Sequence, residues 1–266
     1  MSMWQVKQVG QKPVLKSPIL IEGLPGIGNV GKVVVDFIIE KMKAKKIYEF
    51  ISYQLPHSVF VNEKNLVEMP RIEIYYKKFK NRKHDLLFLA GDIQPIDEES
   101  CYAFTDKVLD VCRQHKVKEI VTIGGIGLQA IPKKPEVFCT GNSKAIISKY
   151  KKGTSLNEKL YGIVGPIVGV TGLLLGLAER RKIPAIALLA ETFGHPMYLG
   201  VKGAREVLKV LDKKIGLGIS LKDLDKEIEG LEKEMLKRTE EFSNISKRTA
   251  FKKLKAKLKD EVSYIG

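Results

Sequence analysis

Cysteine is scarce: Cys101, Cys112 and Cys139 are the only three in 266 residues. An odd number at spacings of 11 and 27 fits neither a disulfide framework nor a zinc site, and it predicts reduced, buried thiols and no metal centre. Long apolar runs are missing too. No segment approaches the roughly 20 apolar residues of a membrane span, and the longest candidate, 161–178, is broken by Gly162, Gly165, Pro166, Gly169, Gly172 and Gly176. It reads as a glycine-rich turn entering a helix. The opening Met1-Ser2-Met3-Trp4 has no basic stretch ahead of an apolar one, so no secretory signal is expected and the predicted compartment is cytoplasmic. Acidic residues are outnumbered, 31 against 46 Lys and Arg, leaving a net charge of +15. Such an excess attracts nucleic acid or acidic protein surfaces. The basic clusters at 41–46, 77–83 and 247–259 lack regular aromatic interleaving and match no helix-turn-helix or zinc-finger pattern, so specific nucleic-acid binding is not expected.

What is present suits a folded domain. With 44% hydrophobic residues the chain can bury a real core, and its length fits one large domain with an appendage. Strand-like runs lie at 18–22, 46–53, 71–77, 85–90, 119–123, 136–140 and 185–190. Helical periodicity separates several of them. Val30, Val33, Val34, Phe37, Ile38 and Met42 recur on one side of 28–43, as do Tyr102, Phe104, Val108, Leu109 and Cys112 over 99–115. This alternation predicts a three-layer α/β/α sandwich with a mainly parallel sheet over 1–216, whose crevice lies outside the carboxyl ends of the strands. After Gly216-Leu217-Gly218 the pattern changes to a helical extension and tail over 217–266. Leu224, Ile228, Leu231, Met235, Phe242 and Ile245 form an apolar seam there, predicted to pack on the domain or on a second subunit.

The strongest local signal is the glycine loop 23–32. Gly26-x-Gly28-x-x-Gly31 satisfies a dinucleotide fingerprint, but the end of the next strand reads Phe50-Ile51-Ser52-Tyr53-Gln54, without the ribose-binding acid. Gly26 to Lys32 also fits the start of a phosphate-binding P-loop, yet Val33 stands where the magnesium-holding hydroxyl belongs. No cofactor is therefore predicted. Two readings remain for Gly26, Gly28, Gly31, Lys32, Gly125 and Gly169: close packing of strand, turn and helix, or a crevice of backbone N–H groups for an anion. Among the histidines, His84 and His115 read as solvated. His57, His195 and Glu191 sit just past strands, where α/β sites form, but no nucleophile elbow or metal spacing accompanies them.

Several ordered segments together carry a resemblance: the 23–32 loop, the strand and turn 85–95, the 124–127 turn, the 162–176 segment and Glu191-Thr192-x-Gly194-x-Pro196. Over roughly residues 15–212 the chain resembles the PAC2 family. The resemblance implies a phosphorylase/hydrolase-like α/β/α fold and similarity to proteasome assembly chaperones, whose archaeal homologues form rings or other homo-oligomers. Some of those relatives dock into proteasome α subunits through a tail with a penultimate Tyr after a hydrophobic residue. In Tyr264-Ile265-Gly266 the Tyr is third from the end and follows Ser263, which implies the type without a functional docking tail. The expected function is a non-enzymatic, homo-oligomeric chaperone or scaffold, as a ring or bundle, with a protein client such as proteasome subunits. The alternative is a phosphate- or nucleotide-binding enzyme using the glycine crevice.

Overall fold

The computed structural model describes residues 4–160, 165–196, 198–220, 222, 225 and 226. Its strands are β1 (Gln5–Gln8), β2 (Ile19–Gly23), β3 (Lys45–Ile51), β4 (Phe60–Val61), β5 (Val67–Glu68), β6 (Ile72–Lys77), β7 (Leu86–Gly91), β8 (Glu119–Leu128), β9 (Val137–Gly141) and β10 (Ala185–Phe193). The helices are α1 (Val30–Met42), α2 (Glu98–Gln114), α3 (Lys144–Lys151), α4 (Val170–Arg180) and α5 (Val201–Ile215). β2, β7 and the first half of β8 are buried without interruption and mostly apolar, because both faces of the sheet are covered there. Adjacent side chains on β2 show the two layers directly. A methyl on Gly23 would strike α1 at Gly31, while Glu22 meets Thr171 of α4. Helices α1 and α5 pack together on the first face, and α2 and α4 on the second.

The eight strands of the main sheet run in the order β1-β3-β6-β7-β2-β8-β10-β9. The centre is parallel, as the alternation of strand and helix requires: β7 with β2, β2 with β8, and β8 with β10. The flanks are not. β1 with β3, β3 with β6, β6 with β7, and β9 with β10 are antiparallel. The sheet is therefore mixed rather than mainly parallel, because no helix intervenes between β3, β6 and β7 and a connection without a crossover reverses the strand.

Local chemistry sets the helix ends. Asp97 caps α2 by accepting the Ser100 N–H at 2.8 Å, with Glu98 and Glu99 in the first turn. Gly216 closes α5 at φ 70, and Asp212 accepts the N–H of Gly218. In the core Trp4, 1% exposed, sets its ring 4.7 Å from Phe104. Leu20, Leu87, Ile120 and Leu189 fill the α2–α4 side, each fully buried aliphatic contributing about 1.5–3 kcal/mol. The three cysteines are buried, as their scarcity suggested. His115 departs from expectation. It is buried, its Nε2 2.8 Å from the Tyr48 hydroxyl, and burial lowers its pKa, because the turn after α2 folds the imidazole back onto β3.

The chain divides into two units, 1–219 and 220–266. Leu224, Ile228, Leu231, Met235, Phe242 and Ile245, and the tail Tyr264, Ile265 and Gly266, lie outside the described residues. Among the described residues no helix is long and apolar enough to cross a membrane.

Candidate functional site

In an open α/β sheet the place to look is the carboxyl end of the strand where the winding reverses. Here that strand is β2, with β7 on one side and β8 on the other. Its penultimate residue, Glu22, is fully buried on the α4 face. Oε1 accepts the Leu24 N–H at 3.0 Å, and the Thr171 hydroxyl donates to both carboxylate oxygens at 3.2 and 3.4 Å. Hydrogen-bond donors surround the carboxyl, and they do not offset the loss of water. Burial pushes its pKa from an ordinary 4.5 to about 7. The neighbouring Thr122 of β8, in register with Glu22, is also buried, and its hydroxyl finds no partner.

Gln94, in the loop after β7, completes the arrangement. Its Nε2 donates to the Pro25 carbonyl at 2.6 Å, and its Oε1 accepts the N–H of Val170 at 3.2 Å. One amide thus ties the glycine loop on one side to the start of α4 on the other. Gly169 holds φ 83 at that point, and a methyl there would lie 2.6 Å from the Gln94 oxygen. The loop and α4 are latched by Gln94 and Glu22 together.

The glycines next to this latch interlock with one another. Gly28 sits at φ 61 with Thr192 where its Cβ would be, 2.5 Å from the hydroxyl. A Cβ on Gly125 would be 2.2 Å from the carbonyl oxygen of Ile27, and one on Gly31 would be 2.5 Å from that of Ile123. The Gly28 carbonyl accepts the Gly200 N–H at 2.7 Å. Gly26 alone of the loop glycines has open space around it. The segment 124–127, expected as a turn, continues β8 to Leu128 and pairs with Leu189–Phe193. Gly125 and Gly127 are there because another backbone crosses them, while Gly124 makes room for the Leu189 side chain. Carbonyl oxygens and threonine side chains occupy the centre of this cluster.

Lys32 points elsewhere. Its Nζ reaches Asp36 at 2.9 Å, the Gly91 carbonyl at 3.1 Å and Asp92 at 3.3 Å. It lines a cavity of about 310 Å³ between α1 and β6 with Arg71, Glu73 and Tyr75. A larger groove of about 570 Å³ lies between β1 and the end of α2, lined by Val6, Tyr48, Asp110 and Gln114. That groove is at the amino end of the parallel strands, away from the latch. Glu191 is part of β10 and accepts the Glu136 N–H at 2.9 Å. His195 stacks on Phe193 at 5.6 Å, whereas His57 lies in the exposed segment between β3 and β4. Burial pushes the Cys112 thiol up to about 12, far from a thiolate. Among the described residues no group of three or more His, Cys, Asp or Glu could hold a metal ion.

The comparisons with known proteins fit this architecture. The profile of the PAC2 family matches residues 20–238. The chain belongs to the PAC2 family. It is 32% identical to Pyrococcus furiosus PbaB, described as an archaeal proteasome activator, with a TM-score of 0.81 over 90% of this chain and 100% of that one. It also shares the fold of P. furiosus PbaA, an archaeal homolog of proteasome-assembly chaperone, at 24% identity and a TM-score of 0.71, over 98% and 99% of the two chains. The uncharacterized protein MJ1210 of Methanocaldococcus jannaschii is 28% identical, over 90% of this PAC2 chain and 92% of its own. Sequence reasoning found the glycines of this PAC2 end but missed Glu22, Gln94 and Thr171. The available signal was a lone acid closing the apolar run Ile19-Leu20-Ile21.

Proposed function

We propose that this PAC2 chain is a non-enzymatic, homo-oligomeric assembly chaperone or scaffold that acts on protein partners in the cytoplasm. The observation that carries the reading is the state of the sheet's carboxyl end. The glycine cluster is packed against its own backbone, Lys32 is held by Asp36 and Asp92, and Glu22 is sealed from solvent. The surrounding loops offer apolar side chains outward, Ile27, Ile96, Ile131 and Val168, among exposed polar ones such as Asp97, Gln129, Lys133 and Lys134. Such a rim suits protein contact better than a charged metabolite. PbaB and PbaA make proteasome subunits the first clients to test. The net charge of +15 would raise encounter rates with acidic partners in a salt-dependent way.

Native mass spectrometry of the protein purified gently from its own cells tests this reading. An oligomer carrying proteasome α subunits or another defined protein supports it. A single copy retaining only a nucleotide-sized ligand refutes it and favours the enzyme reading, in which Lys32, His57, Glu191 and His195 are the residues to replace.

A further inference from the structure

Between β3 and β6 the chain leaves the sheet and forms a separate two-stranded hairpin, β4 with β5. The hairpin is carefully closed. Asn62 Oδ1 accepts the N–H groups of Lys64 and Leu66, both at 3.0 Å, its Nδ2 donates to Glu68 at 2.8 Å, and Asn65 takes the left-handed φ of 59. Glu68 in turn pairs with Arg71 at 3.0 Å. Across the ladder Val61 faces Val67, and strand alternation places Val59 and Met69 on the same face. All four are apolar, and Val61, Val67 and Met69 are 63%, 71% and 70% exposed. An isolated two-stranded hairpin is marginal in water, so a bare apolar face on a well-built turn calls for a cover.

We propose that this face is a self-association surface, on which Val59, Val61, Val67 and Met69 pack against the same residues of a second copy of the chain. The proposal rests on the homo-oligomer reading above and names the surface. Charge points to a second copy. The chain carries +15, but residues 51–71 hold Glu63 and Glu68 against Lys64 and Arg71, so this segment is neutral and two copies can meet here without the repulsion found elsewhere. Val59, Val61, Val67 and Met69 are each more than half exposed, an apolar patch of the kind that protein contact covers. A face meeting itself about a twofold axis is the simplest closed arrangement for such a neutral, symmetric ladder.

Two variants test it, Val61→Lys with Val67→Lys, and Val61→Glu with Val67→Glu. All four substitutions are on exposed positions, so circular dichroism and the melting temperature should match the wild type. In sedimentation at micromolar concentration each variant alone is expected to lose mass relative to wild type, and an equimolar mixture of the two to recover it. Unchanged mass in both variants overturns the proposal, as does a mixture that stays dissociated. If a chain ending at Ile219 dissociates while the hairpin variants do not, the oligomer reading stands and only this surface falls. A wild type that sediments as a single copy removes both.

Discussion

Glu22→Gln isolates a fully buried carboxyl that no cation pairs. A carboxyl whose pKa rises from 4.5 to about 7 on folding binds its proton more tightly in the native state. Its contribution is fully present below about pH 4.5 and is lost as pH rises through about 7, because ionisation then occurs inside the protein. By linkage, at 1.36 kcal/mol per pKa unit, the wild type should lose about 2.5 kcal/mol of stability from this group between about pH 5 and pH 8. Gln keeps an oxygen for the Leu24 N–H and an amide for the Thr171 hydroxyl, and it does not ionise. The variant should therefore gain on the wild type by about 2.5 kcal/mol across that interval. Urea unfolding of both proteins at each pH measures this directly. Taking the difference also removes His115, whose burial-lowered pKa acts in the opposite direction by destabilising the fold in acid. A difference that changes by less than about 0.5 kcal/mol, or changes in the opposite sense, would refute the argument that burial controls Glu22.

Two further substitutions probe the packing. Gly125→Ala sets a methyl 2.2 Å from the Ile27 carbonyl and should cost at least about 1–3 kcal/mol. Gly26→Ala, with nothing within 4 Å, should change stability by no more than about 0.5 kcal/mol; thermal melts that rank them otherwise would contradict the interlocked-loop geometry. At the other end of the sheet the Tyr150 hydroxyl donates to the buried Glu119 at 2.8 Å, and Lys149 reaches the second oxygen. Tyr150→Phe should cost about 1–3 kcal/mol in urea unfolding by leaving that carboxylate short of a partner, and a neutral result would show that water replaces the hydroxyl.

The central strands were legible because burial on both faces writes itself as uninterrupted aliphatic sequence, as in Ile19-Leu20-Ile21 and Leu86-Leu87-Phe88-Leu89. Antiparallel flanks were legible in principle: the runs at 46–53, 71–77 and 85–90 have no helical pattern between them. β1 and the hairpin were not found. Gln5-Val6-Lys7-Gln8 is an edge with one apolar residue, and Phe60-Val61 is too short to show a period. The glycine loop was seen but two readings survived, since a glycine that admits a phosphate and one that admits a neighbouring carbonyl look alike until the neighbour is known. At Gly125 that neighbour is Ile27. Glu22 and Thr171 are 149 positions apart, and nothing local in either segment announces their meeting.

An open sheet of eight strands has two free borders, and a bare border is a template on which further chains can stack indefinitely. Neither border of this sheet is inviting. Along β9 part of the outer edge is already taken, because Asn157 donates to the Val137 carbonyl at 3.0 Å and accepts the Cys139 N–H at 2.8 Å. Along β1 the border is four residues long and carries Lys7 and two glutamines. Fibre-like growth by strand addition is thereby discouraged on both sides. An assembly of this chain by side-chain contact, as proposed for the hairpin, would therefore not compete with stacking along the sheet borders.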